Sequence, residues 1–297
     1  MTKLNIMMVH AHPADFACDA SGTAALHLEK GDNVTSVVVS YGDRHHMHWL
    51  YDQEKKPEKE RDPDFANLDA EMYRDFKKRE TERIAEILGV ELVLLEWTDC
   101  EIYFDHDKVM EMAKLILKIK PDIVVTRLPT DFGMTHNDHP MTAKIVSKAI
   151  EVARNRHQIF DGVDGYKGIK QIFYTINGGE EVNGNSNFTP GIVPDVWVDT
   201  TSVIEKKVHA IDQLVSQGYQ GDTARWIIES RDGRWGMIAG SAYAEPFLRP
   251  SGIRYNSLPM PETIIGTNWK PTVVPDAPLS ASKIPSGTPD SANRLRL

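Results

Sequence analysis

The chain has 297 residues, enough for one α/β domain with insertions, and its 41% hydrophobic and 26% charged content allows a core of ordinary size. A net charge of -9 argues against a nucleic-acid partner, which needs a basic face, and no apolar run reaches the length of a membrane span. Cys18 and Cys100 are too few for a disulfide framework, and the N-terminus lacks the basic and apolar regions of a secretion signal, so a reducing cytoplasm is the expected setting.

In chain order, LNIMMVH (4–10) reads as a short buried parallel strand. A polar loop containing HPAD follows, then a helix over SGTAALHLEKG (21–31) that stops at Gly31. NVTSVVVS (33–40) is a second buried strand and completes a βαβ unit. Residues 43–73 are charged, carry two prolines and break this rhythm, so a long active-site loop or lid is expected there. Helices over 73–89, 106–120 and 141–156 then alternate with strands over 90–97 and 121–128. Strands at 170–176 and 194–201 and a helix at 202–217 follow. From about Pro259 the chain is rich in Pro, Ser and Thr without periodicity. The expected organisation is a single α/β domain over 1–258 with a tail over 259–297. Its fold is an open, mostly parallel Rossmann-like sheet with helices on both faces.

In such sheets ligands sit beyond the carboxyl ends of the strands. That places His10 to Asp15, Ser40 to His48 and Arg127 to His139 on one rim. His12 and Asp15, with His136, Asp138 and His139, offer imidazole nitrogen and carboxylate oxygen, the donors that favour zinc. Each cluster alone also reads as a helix cap, and Asp138 could cap a helix starting near Pro140. Their occurrence at matching strand ends favours the metal. No phosphate-cradling glycine motif or G-x-S-x-G elbow is present, which sets aside nucleotide-binding and serine-hydrolase functions.

The motifs A-H-P-A-D at 11–15 and H-N-D-H at 136–139 resemble the A-H-P-D-D and H-P-D-H of the PIG-L/LmbE superfamily of zinc-dependent N-acetyl-sugar deacetylases and their relatives. RETERIAEILG (79–89), Asp99, VDTTSVIEKKVHAI (198–211) and YAEPF (243–247) extend the likeness over most of the first 250 residues. The resemblance implies one zinc per chain, held by His12, Asp15 and His139. It implies for His136 a role in polarising a substrate carbonyl or donating a proton, the alternative being a group that orients a ligand. Asp99 would bind substrate or cap a turn.

One position departs. The first Asp of H-P-D-D is the family's general base, and here it is Ala14. General-base catalysis is worth about 10²–10⁴-fold, so deacetylation by the family route lacks its proton acceptor. Asp43 and His46, with His45, His48 and Asp19 nearby, are the candidate replacements. The 4-oxalomesaconate hydratase branch also lacks that Asp and resembles this chain at Ala14–Phe16, Ser40–Arg44 and Thr201–Lys207. For such a substrate Arg44, Arg79 and Arg127 are candidate partners of carboxylates, Arg127 foremost.

Three readings follow: a zinc-dependent hydratase or lyase acting on a small unsaturated keto-carboxylate; a zinc-dependent N-acyl deacetylase; and a binding protein that keeps the metal only as a staple. A small-molecule substrate is expected in the first two, with no nucleic acid and no membrane. A homo-oligomer is compatible with the acidic charge and the long tail.

Overall fold

A computed structural model describes residues 3–45, 47–63, 65, 68–130, 137–155, 164–176, 193–253 and 255–258. The strands among them are β1 (Asn5–His10), β2 (Asn33–Val38), β3 (Glu91–Leu94), β4 (Ile123–Arg127), β5 (Gln171–Thr175), β6 (Val196–Asp199) and β7 (Ala244–Leu248). They form one sheet in the order β3-β2-β1-β4-β5-β7-β6. The first five pair in parallel, whereas β7 runs antiparallel to both β5 and β6. The helices are α1 (Pro13–Asp19), α2 (Ser21–Glu29), α3 (His48–Lys55), α4 (Ala70–Leu88), α5 (His106–Ile119), α6 (Asp138–Arg154), α7 (Ile204–Ile211) and α8 (Asp222–Ala239).

The central strands bury both faces. Met7, Val9 and Val37 pack with Val109, Met112 and Ile116 of α5 and Ile145, Val146 and Ala149 of α6. On the other face Ile6, Met8 and Val125 meet Ala24 of α2, while Val38 joins Phe16, Ile84, Leu88, Ile211 and Ile228 in a second cluster. This two-residue alternation is the strand period, and each fully buried aliphatic side chain contributes about 1.5–3 kcal/mol. The helices begin and end where their caps dictate. Asp69 accepts from Met72 N at 2.8 Å to open α4, and Gly89, at φ 81°, closes it.

The open parallel sheet with helices on both faces is as expected. Four elements are not: α1, α3, α8 and β7. Residues 43–73 are not simply a loop. They contain α3, a 3-10 turn at Glu58–Glu60 and the start of α4, because Trp49 stacks at 5.7 Å on Phe76 and gives the segment an apolar anchor. The helix expected over 202–217 is split into α7 and two flanking 3-10 turns. The tail over 259–297 lies outside the described residues.

A buried ion network ties the later elements to the first βαβ unit. Lys207 of α7 donates at 2.6 Å to both Asp232 of α8 and Glu245 of β7. Glu245 in turn accepts from Gly22 N and Thr23 N, each at 2.8 Å, at the start of α2. Gly22 is required there, since a Cβ would lie 2.7 Å from Thr200 Cγ2 and 2.9 Å from Glu245 Oε1. Lys207 lies in VDTTSVIEKKVHAI and Glu245 in YAEPF, so two stretches that resembled the superfamily are bonded to each other.

Candidate metal centre

The strand order reverses beside β1: β2 lies on one side of it, and the chain returns after β3 to place β4 on the other. Loops leaving the carboxyl ends of β1 and β4 diverge there and leave a crevice. After β1, Ala11 O accepts from Ser40 N at 3.1 Å and from Ser40 Oγ at 3.0 Å, which fastens the loop to the end of β2. His12 then precedes α1, with Pro13 at the first helical position, where its missing N–H costs nothing. Asp15 Oδ2 accepts from His12 N at 3.0 Å. The polar stretch is therefore a helix start, and its cap residue keeps a second oxygen for the crevice.

That oxygen, Asp15 Oδ1, lies 3.2 Å from His139 Nε2, and Asp15 Oδ2 lies 3.4 Å from His12 Nδ1. His12 Nδ1 and His139 Nε2 are 3.1 Å apart. Donors about 2.0–2.1 Å from a tetrahedral zinc ion are about 3.3 Å from one another, and one ligand atom from each of the three residues lies within 4.8 Å of the others, a span a metal ion could draw together. All three residues are buried, and their donor atoms form one of two His/Asp groups of metal-binding dimensions among the described residues. The donor set fits zinc in atom type and spacing.

The far side of the same imidazole meets two carboxylates. His12 Nε2 lies 3.1 Å from Asp99 Oδ1 and 3.4 Å from Asp138 Oδ2. With Nδ1 committed to a metal, Nε2 carries the ring proton and donates it to this pair, fixing tautomer and ring plane. The carboxylates are held by main-chain N–H groups. Asp99 Oδ2 accepts from Arg44 N at 2.7 Å and His45 N at 3.1 Å, and Asp138 Oδ1 from Ile102 N at 3.3 Å. Cys100 N serves both, at 3.0 Å to Asp99 Oδ1 and 2.7 Å to Asp138 Oδ2. Cys100 reaches them by adopting φ 64°, a left-handed conformation that costs energy in a non-glycine residue.

Charges follow this layout. Burial opposes a cation on His12, but the carboxylates of Asp138, Asp15 and Asp99 outweigh it and raise its pKa well above the ordinary value. Burial also opposes the Asp15 carboxylate, yet His139, Arg127 and His12 hold it well below the usual range. His139 is pushed down to about 4 by burial and then by Arg127, which leaves it a neutral imidazole near pH 7.

Of the other expected site residues, Arg127 is in place. It closes β4, and its guanidinium donates to Asp19 Oδ2 at 2.8 Å and lies 3.6 Å from Asp15 Oδ1. Asp99 is fully buried against His12 rather than open to substrate. Asp43 is half-buried on the loop after β2 and lines a cleft of about 800 Å³ with Arg44, Met47, Tyr73 and Arg74. Arg44 brings its main chain to Asp99, but its exposed side chain pairs with Glu101 at 2.5 Å. Arg79 is corrected: it is exposed on α4, whose inward face is Lys77, Glu80, Thr81 and Ile84, so it does not belong to the crevice. His136 and His46 lie outside the described residues. His45 is exposed, with Nδ1 2.8 Å from Cys100 Sγ, and His48 is exposed at the start of α3. Cys18 is buried in the second apolar cluster, and burial raises its thiol to about 11. Asp138, which the sequence offers as a metal-favouring donor or as a helix cap, instead faces the His12 ring from the side away from Asp15 and His139. The Cys100 amide left no sign, because a main-chain donor has no sequence signature.

Residues 7–150 match the family described as PIG-L: GlcNAc-PI de-N-acetylase, a span that holds His12 and the four residues Asp15, Asp99, Asp138 and His139 around its ring. That match spans just under half of the chain. A 4-oxalmesaconate hydratase of Pseudomonas putida is 26% identical over 214 residues, covering 71% of this chain and 73% of that protein. A 1D-myo-inositol 2-acetamido-2-deoxy-alpha-D-glucopyranoside deacetylase of Corynebacterium glutamicum is 23% identical over 293 residues, covering 90% and 96%. Among solved structures, a 4-carboxy-2-hydroxymuconate hydratase from Pseudomonas putida superposes with TM-score 0.69 at 23% identity, over 87% of this chain and all of that one. These relatives are thus a hydratase and a deacetylase, both enzymes, and their likeness supports an enzymatic role for this chain.

Proposed function

We propose that this PIG-L protein is a zinc-dependent hydratase that adds water to a small unsaturated keto-carboxylate of the 4-oxalomesaconate type, in the cytoplasm. The observation that carries the reading is Ala14. It sits in the first turn of α1, between His12 and Asp15, and packs against the apolar cluster around Phe16 and Ile84. No carboxylate stands there to act as the general base toward water, which the amide-cleaving reaction needs most. Addition to a conjugated double bond makes a different demand: the substrate oxygens must be polarised and a proton delivered to carbon.

His12, Asp15 and His139 would hold one zinc ion per chain. When bound, zinc supplies Lewis acidity and lowers the pKa of water to about 7. Asp99 and Asp138 keep the His12 ring in register, and Arg127 offers a guanidinium beside Asp15 to a substrate carboxylate. The hydroxyl oxygen bonds to the carbon β to the carbonyl, the double-bond electrons move onto the carbonyl oxygen, and a proton is returned to the α carbon. Asp43, His46 and His136 are the residues we assign to moving that proton.

N-acyl deacetylation is the second reading, favoured by the de-N-acetylase description of the matching family. Assaying one zinc-loaded preparation on both substrate classes separates them. Loss of conjugated absorbance with 4-oxalomesaconate and no acetate from N-acetyl amino sugars is expected; acetate release without hydration overturns the proposal.

A further inference from the structure

Arg127 ends β4 and Thr175 ends β5, and the two are register partners in the parallel sheet. Both side chains reach the same acceptor, Asp19 Oδ2, at the end of α1. Arg127 Nε donates to it at 2.8 Å and Thr175 Oγ1 at 3.4 Å. Asp19 stands one helical turn after Asp15, which puts the two carboxylates on one face of α1, both within reach of the guanidinium. Arg127 could pair with either. It is bonded to Asp19, while its Nη2 stays 3.6 Å from Asp15 Oδ1, beyond hydrogen-bond distance.

Asp15 Oδ1 is also the oxygen that lies 3.2 Å from His139 Nε2 and belongs to the candidate metal centre. An arginine on that oxygen competes with a metal ion twice: it occupies a lone pair, and it places a positive charge in a buried site. Asp19 counters both effects. Its side chain is 2% exposed, and among the described residues its Oδ1 has no hydrogen-bond partner and Arg127 is its ion-pair partner. A carboxylate buried in this way holds its counter-ion firmly, because separating the pair leaves an uncompensated charge. Asp19, grouped by sequence with the candidate proton acceptors, is thus committed to Arg127 instead.

We propose that Asp19 is a positioning residue: it draws Arg127 off Asp15 and keeps Asp15 Oδ1 open to the metal ion. The inference rests on the assignment of His12, Asp15 and His139 as metal donors, and it is independent of the choice between hydration and deacetylation. Asp19 acts through Arg127, and Thr175 helps to hold Asp19 in place from the neighbouring strand.

The test is chelator competition for zinc on the full-length chain, with thermal melts of the same samples. Wild type, Asp19→Asn, Arg127→Met, the double variant Asp19→Asn/Arg127→Met and His139→Ala are compared. Asp19→Asn is expected to weaken zinc binding about 10- to 100-fold, since Arg127 then turns to Asp15. Removing Arg127 as well is expected to return the affinity to within about threefold of wild type. A damaged fold is not repaired by a second core substitution, so this recovery separates capture by Arg127 from a structural defect. Should Asp19→Asn not fold, Thr175→Val takes its place, with an expected loss of about 2- to 5-fold that Arg127→Met again cures. Unchanged affinity in the single variant, or a loss that the double variant keeps, overturns the proposal; zinc bound by wild type and lost in His139→Ala then leaves the metal reading standing. No zinc bound by wild type overturns both.

Discussion

Asp99 Oδ1 lies 3.1 Å from His12 Nε2, a contact made in full burial between loops that leave different strands. It makes the loop after β3 a support for a donor that follows β1. Asp99→Asn and Asp138→Asn are therefore expected to lower zinc affinity about 10- to 100-fold without loss of fold. Competition with a chelator gives the affinity and circular dichroism the fold; unchanged affinity in both variants would refute the orienting role.

His139→Ala and Asp15→Asn remove candidate metal donors themselves. Each is expected to leave less than about a tenth of the wild-type zinc after dialysis, measured by atomic absorption. Arg79→Ala, on the outer face of α4, is expected to match wild type, and a loss of zinc there would contradict its placement.

Cys100 tests whether the main chain shapes the site. Valine is β-branched and resists φ 64°, so Cys100→Val is expected to cost about 1–2 kcal/mol and to weaken zinc binding. Cys100→Gly keeps the conformation and is expected to bind zinc as wild type does. Equal zinc affinity in both would mean that the amide does not position the carboxylates.

Lys77 is fully buried, its ammonium 3.2 Å from Ser216 Oγ, and burial lowers its pKa to about 8. Its folded pKa lies below the unfolded value near 10.5, so between those limits the unfolded chain binds more protons and stability rises with pH. Below pH 8 the buried charge is a cost. Lys77→Met should thus be more stable than wild type at pH 7.5 by about 1–3 kcal/mol, and the gap should close by pH 10. Urea denaturation at both pH values checks this; a gap independent of pH would place the lowered pKa elsewhere.

Lys207 behaves in the opposite way, because Asp232 and Glu245 meet it directly. Lys207→Met strands two buried carboxylates and is expected to cost about 3–5 kcal/mol. Asp232→Asn leaves Glu245 paired and should cost less. A smaller loss for Lys207→Met than for Asp232→Asn in chemical denaturation would reverse that ranking.

Much of this was written in the sequence. The apolar runs ending at His10, Ser40 and Leu128 announced parallel strands, and their ends announced a rim. What stayed hidden has physical causes. α1 spans only seven residues and shows no full apolar period. α8 alternates charged and apolar residues, so its inner face does not stand out. β7 contains Pro246, which argues against a strand and is tolerated opposite Trp197 next to the outermost strand. The candidate metal donors His12, Asp15 and His139 were legible because they lie in short motifs.

The ties from Lys207 and Glu245 to the start of α2 bear on how the chain can be divided. The family match stops at residue 150, but β4 needs β5 beside it, and Gly22 N and Thr23 N need Glu245. A fragment cut at that limit would carry all the metal donors and yet leave β4 as a bare, apolar, flat margin. Such a margin recruits strands from other molecules. The second half of the chain thus supplies the strand that covers this margin.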